Sequence, residues 1–492
     1  MIKMELKRIH MKKSTLYVSL SVSIVTIITA MVIVILNQVE PTTETIQYEN
    51  MPNFVDENPN NVQKQMLRFG QGNYRISDYV ELPDQHILIG GQNLTEDGLY
   101  YPFFEKLNLG AGAAYTSSFP VAFPSDVTYQ PEASLRNGIQ HIVYGDDDHI
   151  YMIGQVVASL TKSDGTLVPL SGSFANGNMS MNESVLTFIV QLNLNLSQIQ
   201  FLGYLEDISS QFVTNTTIEA VKLLDENTMI LAGKTTSKTG VFQQANLQDE
   251  GFVIQLDLSN NQITLEKDYY FVSTGSYVIE GMNVADNQDV FVVGSYTKND
   301  GNFISLPLPT DNHQNGFVLR LNQSSYEPAW WYGSHQANME SQLDGRYTSV
   351  MQLENNRLVA VGNTNLSDSP TNGEGSIIKT TLTLDGEIIN QRLLSSPEPF
   401  IIKGWIKSSQ GYLAIGQTYS TSTDITLLHY NHRMNLIHAE TIQGSGNDLI
   451  TTKISVMYTG AAYFFTRTQS SDLDYNATGL SNIVTTQSIS VF

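Results

Sequence analysis

Along most of the chain, short apolar runs alternate with turns rich in Ser, Asn, Asp and Gly, and the clearest stretch is 251–297. There GFVIQLDLSNNQITLEKDYYFVSTGSYVIEGMNVADNQDVFVVGSYT divides into runs at 251–257, 263–271, 277–285 and 289–297. Each run has the length of a strand and is bounded by turn-forming clusters. Four strands make one unit, and the unit recurs most visibly where an apolar run stops at a glycine: Gly90, Gly154, Gly233, Gly294, Gly362 and Gly416. A seventh copy, YFFTRTQS, carries Thr466 in that place. Spacings from 50 to 79 residues are too irregular for stacked solenoid coils and suit four-stranded blades with loops of varying length. The pattern predicts an all-β fold, a seven-bladed β-propeller over 61–492.

The two chain ends predict how such a ring closes. The run at 63–69 precedes the first innermost strand, whereas the last copy stops after 483–491 without an outermost strand. Residues 63–69 are therefore expected to pair antiparallel with 483–491, which covers an otherwise open sheet edge.

Ahead of the repeats the pattern changes. Residues 16–36, LYVSLSVSIVTIITAMVIVIL, carry no charge, and at ~1.5 Å per residue a helix of that length spans about 30 Å. Residues 1–15 hold Lys3, Lys7, Arg8, Lys12 and Lys13 against one acid, Glu5. The apolar run is longer than that of a cleavable signal peptide, and the following NQVEPTTE has no small-x-small cleavage site. The expectation is an uncleaved N-terminal transmembrane helix at 16–36, with 1–15 cytoplasmic and the rest extracellular. Residues 37–60 lack periodicity and read as an extended stalk.

Composition narrows the function. Five of the 26 basic and one of the 48 acidic residues precede residue 16, so the remainder carries a formal charge of −26. Such a surface repels nucleic acid and anionic lipid and favours cationic partners or divalent ions. The chain has no cysteine, so its extracellular part is held without disulfides, as suits a bacterial envelope protein with a large core.

The unit resembles the β-propeller repeats of secreted bacterial proteins, a kelch-like arrangement whose blades close with Gly-x-Thr. The matching pieces are GFVIQLDLSNN (251–261), GFVLRLNQSS (316–325), WWYGS (330–334), QGSGND (443–448) and the ends at Gly233, Gly294, Gly362 and Gly416. The resemblance covers about 62–492 and implies architecture only, because such repeats share no catalytic residues.

By the same analogy, the strand before each glycine-ended run is innermost (A), the glycine-ended run is B, and C and D follow outward. A–B turns are then short, and the long segments 157–184, 235–250, 298–315, 364–374, 124–137, 205–216 and 334–346 fall on the opposite face. His335, Glu340 and Asp344 on one of these loops, with Asp311 and His313 on its neighbour, are candidate binding or metal-holding residues. Gln140, Glu219, Glu280 and Lys403 hold comparable places on A strands, where two glutamates in a narrow channel can bind a cation or act as acid and base. Asp146, Asp147 and Asp148 lack the ligand spacing of a calcium loop, and turn chemistry explains them. His429 and His432 point to opposite faces of a strand and its turn, as do the adjacent Trp330 and Trp331.

The reading is a membrane-anchored extracellular propeller that acts as a binding module for an extracellular protein or polysaccharide. The alternative is a propeller-type glycan hydrolase or lyase using channel or loop carboxylates. No cofactor is named by the pattern; calcium is the ion its carboxylates would suit.

Overall fold

The computed structural model describes residues 47–50, 68–69 and most of 74–490. The larger segments outside the described residues are 1–46, 51–67, 118–126, 163–183, 207–214, 307–313, 335–344, 365–375 and 469–482. The architecture is an all-β propeller. Six sheets are built from four consecutive antiparallel strands in the order A-B-C-D. In blade three these are Thr216–Leu223, Thr228–Thr235, Glu250–Asp257 and Thr264–Phe271. In blade four they are Tyr277–Val284, Val290–Tyr296, Asn315–Leu321 and Pro328–Gly333. Blade one begins at Tyr74, blade two at Gly138, blade five at Gly345 and blade six at Phe400.

Two parts of the expected fold are corrected. Among the described residues there are six complete blades rather than seven, because the seventh copy builds a different, irregular sheet. Its inner position is held by two fragments, Asp448–Ile450 and Ser455–Val456, against Ala461–Thr468 and Ile483–Ser490. Among the described residues the outer position holds Arg68–Phe69, which runs antiparallel to the last strand with Arg68 opposite Thr485 and Phe69 opposite Val484. Secondly, among the described residues no helix is long and apolar enough to cross a membrane, and the 16–36 run lies outside them. Within the expected stalk, Gln47–Asn50 adds a parallel strand to the outer edge of blade five, beside Ile388–Ser395.

The core lies between sheets. B and C strands are buried on both sides, as in Val290–Tyr296, where every residue is buried. Seven apolar clusters fill the successive interfaces. The irregular sheet takes part through adjacent side chains: Phe464 packs with blade six and Phe465 with blade one, its ring 5.3 Å from that of Tyr79. Trp330 and Trp331 do diverge as alternation requires. Trp331 joins Phe271, Phe303 and Phe317 between blades three and four, while Trp330 Nε1 donates to the Leu384 carbonyl of blade five at 2.8 Å.

Two of the long B–C segments are docked rather than free. Gly240–Phe242 and Gly301–Phe303 form single 3₁₀ turns whose phenylalanines are buried. Both glycines have positive φ (+63° and +53°), and a Cβ on either would overlap the carbonyl of Leu205 or Val272 at the end of the preceding blade. The next residue donates to that same carbonyl, Val241 to Leu205 and Asn302 to Val272, each at 2.9 Å. The two turns latch neighbouring blades together.

Candidate functional site

The repeated glycine has a structural reason that leads to the axis of the propeller. In all six blades the A strand carries a β-bulge, and the residue before the bulge pairs with a glycine of strand B. The pairs are Ile76 with Gly91, Ile139 with Gly154, Ile218 with Gly233, Ile279 with Gly294, Tyr347 with Gly362 and Ile402 with Gly416. In blade one the equivalent residue is therefore Gly91 rather than the expected Gly90. A Cβ on Gly91, Gly233, Gly294 or Gly362 would overlap a carbonyl oxygen of the bulging A strand, so only glycine lets the backbone approach. In the seventh copy Thr466 stands opposite Ile450, and there the inner strand breaks. The one-residue bulge is replaced by the interval 451–454, which explains the irregular sheet.

Each bulge leaves one residue out of the ladder: Ser77, Gln140, Glu219, Glu280, Thr348 and Lys403 in blades one to six. A bulge re-aims a side chain, and on the innermost strand the repeat builds a ring of such positions around the axis. The residue after the B-strand glycine stitches blades together behind this ring. Gln155 donates to the Thr216 carbonyl, and Gln417 Nε2 donates to that of Asp448 at 3.0 Å. Asn363 both donates to Phe400 (2.8 Å) and accepts from Ile402 (3.0 Å).

The ring is electrically divided. Glu219 and Glu280 occupy adjacent blades. Burial raises the Glu219 carboxyl above its ordinary range, and the like charge of Glu280 adds to the shift, against weaker opposing pulls from Thr217 and Lys234. Burial raises Glu280 too, opposed by the positive charges of Arg346 and Lys403, and Arg346 Nη1 lies 3.5 Å from Glu280 Oε1. Burial lowers Lys403, with Arg346 adding repulsion and Glu280 opposing. Further round, Lys453 from the irregular sheet reaches Asp78 Oδ2 of blade one (2.9 Å) and the Ile142 carbonyl of blade two (3.1 Å). Asp78 is buried and also accepts from the Ile142 amide at 2.8 Å. Burial likewise lowers Lys222, with Lys453 contributing, and keeps His141 below its usual range while its Nε2–H donates to the Ile218 carbonyl.

Of the residues singled out from sequence, the structure brings together Glu219, Glu280 and Lys403. His335, Glu340, Asp344, Asp311 and His313, and the Asp146–Asp148 turn, lie outside the described residues. His429 meets not His432 but Glu440 (2.8 Å) and the ring of His438 across the strand pair. Among the described residues no three metal-ligating side chains converge. Arg346 and Lys453 were missed by sequence reading; a cation two residues before the bulge, or in the copy that lacks the glycine, is the only signal for them.

Fold and ring define a β-propeller with a charged axial lumen. No protein-family model matches the chain, and no curated protein matches it. Solved structures similar to it include a polysaccharide lyase acting on ulvan (8% identity, 87% of this chain and 95% of that one, TM-score 0.48). Others are a streptogramin B lyase (8%, 87% and 98%, 0.43) and the β-propeller domain of the trilobed protease of Pyrococcus furiosus (7%, 84% and 95%, 0.41). Identities this low concern fold alone. What holds of the resemblance to bacterial propeller repeats is the propeller architecture.

Proposed function

We propose that the protein is a binding module whose axial lumen, around Glu219 and Glu280, engages a charged group of an extracellular protein or polysaccharide. The observation that carries this reading is the pair of carboxyl groups set on the bulges of adjacent blades, where burial and, after it, the like charge of Glu280 disfavour the ionised Glu219 carboxylate. A cationic group placed between them relieves that repulsion, and the formal charge of −26 after residue 15 draws such a group in. Extracellular placement rests on the basic 1–15 segment and the uncharged 16–36 run. The test compares the protein with its Glu219→Gln/Glu280→Gln variant in pull-down from envelope material and on a glycan array. Capture should fall about tenfold or more, the loss of roughly one charge-assisted contact. Equal capture by both proteins overturns the reading.

One observation favours the alternative, a glycan hydrolase or lyase: both carboxyls are held above their ordinary range, as a general acid requires. Glycan cleavage that disappears in Glu219→Gln or Glu280→Gln would establish it in place of simple binding.

A further inference from the structure

We infer that the Gly240–Phe242 turn is a proton-gated latch, closed over a neutral Glu206 and released from blade two when that acid ionises. Glu206 lies where the turn docks. Val241 donates to the carbonyl of Leu205, the residue before it, at 2.9 Å, and a Cβ on Gly240 would lie 2.9 Å from the Glu206 Cα. The acid is buried between blades, its Oε2 accepting from the Thr187 amide at 2.8 Å. Thr216 hydrogen bonds to the acid and stands 2.8 Å from Thr235 Oγ1, which accepts from the Ser237 amide at 3.0 Å. Ser237 Oγ meets Thr239 Oγ1 at 3.1 Å, and the Thr239 carbonyl accepts from the Phe242 amide at 3.1 Å. One line of hydrogen bonds therefore runs from the acid into the turn. The other carboxyl oxygen, Oε1, is buried and has no hydrogen-bond partner among the described residues. A protonated acid fits that site, whereas an ionised one leaves charge there without a compensating donor.

The strand that supplies Thr187, Ser184–Asn193, carries no ionisable side chain. The ionisable groups of the other elements packed there are Tyr204 on Ile199–Tyr204, Glu219 and Lys222 on Thr216–Leu223, Lys234 on Thr228–Thr235, and Lys238 and Glu250 flanking the turn. Burial is the largest influence on Glu206 and raises its carboxyl, hydrogen bonds from Thr216 and Thr187 oppose it, and none of those groups is among the influences. The same slot is filled without an acid in the next two blades. The C-strand amide equivalent to that of Thr187 donates to Tyr277 Oη from Gly251 (2.6 Å) and to Ser334 Oγ from Gly316 (2.8 Å). The second latch, Gly301–Phe303, is held in the opposite way. Ser273 follows Val272 as Glu206 follows Leu205, and its hydroxyl donates to Asp300 Oδ1 at 2.5 Å. Thr274 adds its amide (3.1 Å) and hydroxyl, and these bonds hold the exposed Asp300 carboxyl below its ordinary range. Asp300 is thus ionised throughout pH 5–8, and a change of pH in that window acts on the Glu206 latch alone.

The experiment is hydrogen–deuterium exchange of the whole protein at pH 5 and pH 8, corrected for intrinsic exchange rates, with the second latch as internal reference. Protection of the Val241 and Phe242 amides should fall about tenfold or more between the two pH values, while that of Asn302 and Phe303 holds. Glu206→Gln, which cannot ionise, should keep at pH 8 the protection seen at pH 5. Gly240→Ala, whose methyl meets the Leu205 carbonyl, should lower protection of Val241 and Phe242 at both pH values and so calibrates the open state. If the two latches of the parent protein respond alike to pH, the gate is overturned, and that comparison decides even if a variant fails to fold. Equal loss at pH 8 in the parent and in Glu206→Gln would also overturn it, because the opening would then not depend on this proton.

Discussion

Glu206 shows at the scale of one residue how burial becomes a dependence on pH. It follows strand D of blade two, and its Oε2 accepts from the buried Thr187 amide at 2.8 Å. Burial pushes its carboxyl up from 4.5 to about 7, against hydrogen bonds from Thr216 and Thr187. The folded protein therefore holds a proton that the unfolded chain has released between these values. The stabilising contribution of the neutral acid is full below about pH 4.5 and is lost as pH rises through about 7. At ~1.4 kcal/mol per pKa unit, the loss over the rise from 4.5 to about 7 is at most about 3.5 kcal/mol. Glu206→Gln keeps an acceptor for Thr187 and cannot ionise, so urea unfolding measured from pH 5 to 8 should lose this slope and the variant should be the more stable at pH 8. A slope equal to that of the parent would show that Glu206 does not titrate in this way.

At the scale of the element, bulge and glycine are one device. The bulge leaves one residue of the innermost strand out of the ladder, and the glycine opposite removes the Cβ that would strike the displaced carbonyl. Gly294→Ala tests it in blade four, where the added methyl meets both the Val278 carbonyl and the Phe317 ring. The backbone must shift, and overpacking of this kind costs about 1–3 kcal/mol. The urea midpoint should fall accordingly, and the perturbation should be felt at Glu280 on the facing bulge. A midpoint within error of the parent would mean that the strand pair yields without cost. The same device makes part of the ring legible in advance: Gln140, Glu219, Glu280 and Lys403 each follow an isoleucine on the strand before a glycine-ended run, so the repeat alone aligned them. It did not reveal that the extra residue is a bulge, nor that the amides of Gln155, Asn363 and Gln417 bind the next blade, because those contacts span 31 to 61 residues.

For the whole molecule the question is how the last sheet joins the first blade. Lys453 connects the irregular sheet to blades one and two through Asp78 and Ile142, residues more than 300 positions away in sequence. Lys453→Met should strand the buried Asp78 carboxylate. Because the lysine is 44% exposed, the cost is discounted from the 3–5 kcal/mol of a fully buried pair to about 1–2 kcal/mol. Thermal melts of Lys453→Met, Asp78→Asn and the double variant should show losses that are clearly less than additive, the mark of a shared contact. Additive losses would place the two residues in separate interactions.

The sequence by itself determined the class of fold, the four-strand unit and, of the expected pairing of 63–69 with 483–491, the part described at 68–69, because hydrophobic alternation, turn residues and glycine spacing are local and repeat with the blade. It also marked Thr466 as the copy out of pattern. Only the tertiary structure decided that this copy does not build an equal blade, since the consequence of a threonine depends on a carbonyl opposite it. The same holds for the ring of charge. Glu219, Glu280, Arg346 and Lys403 are separated by 57 to 66 residues, and each is an unremarkable polar residue until the closed sheets bring them round one axis, where their charges act on one another.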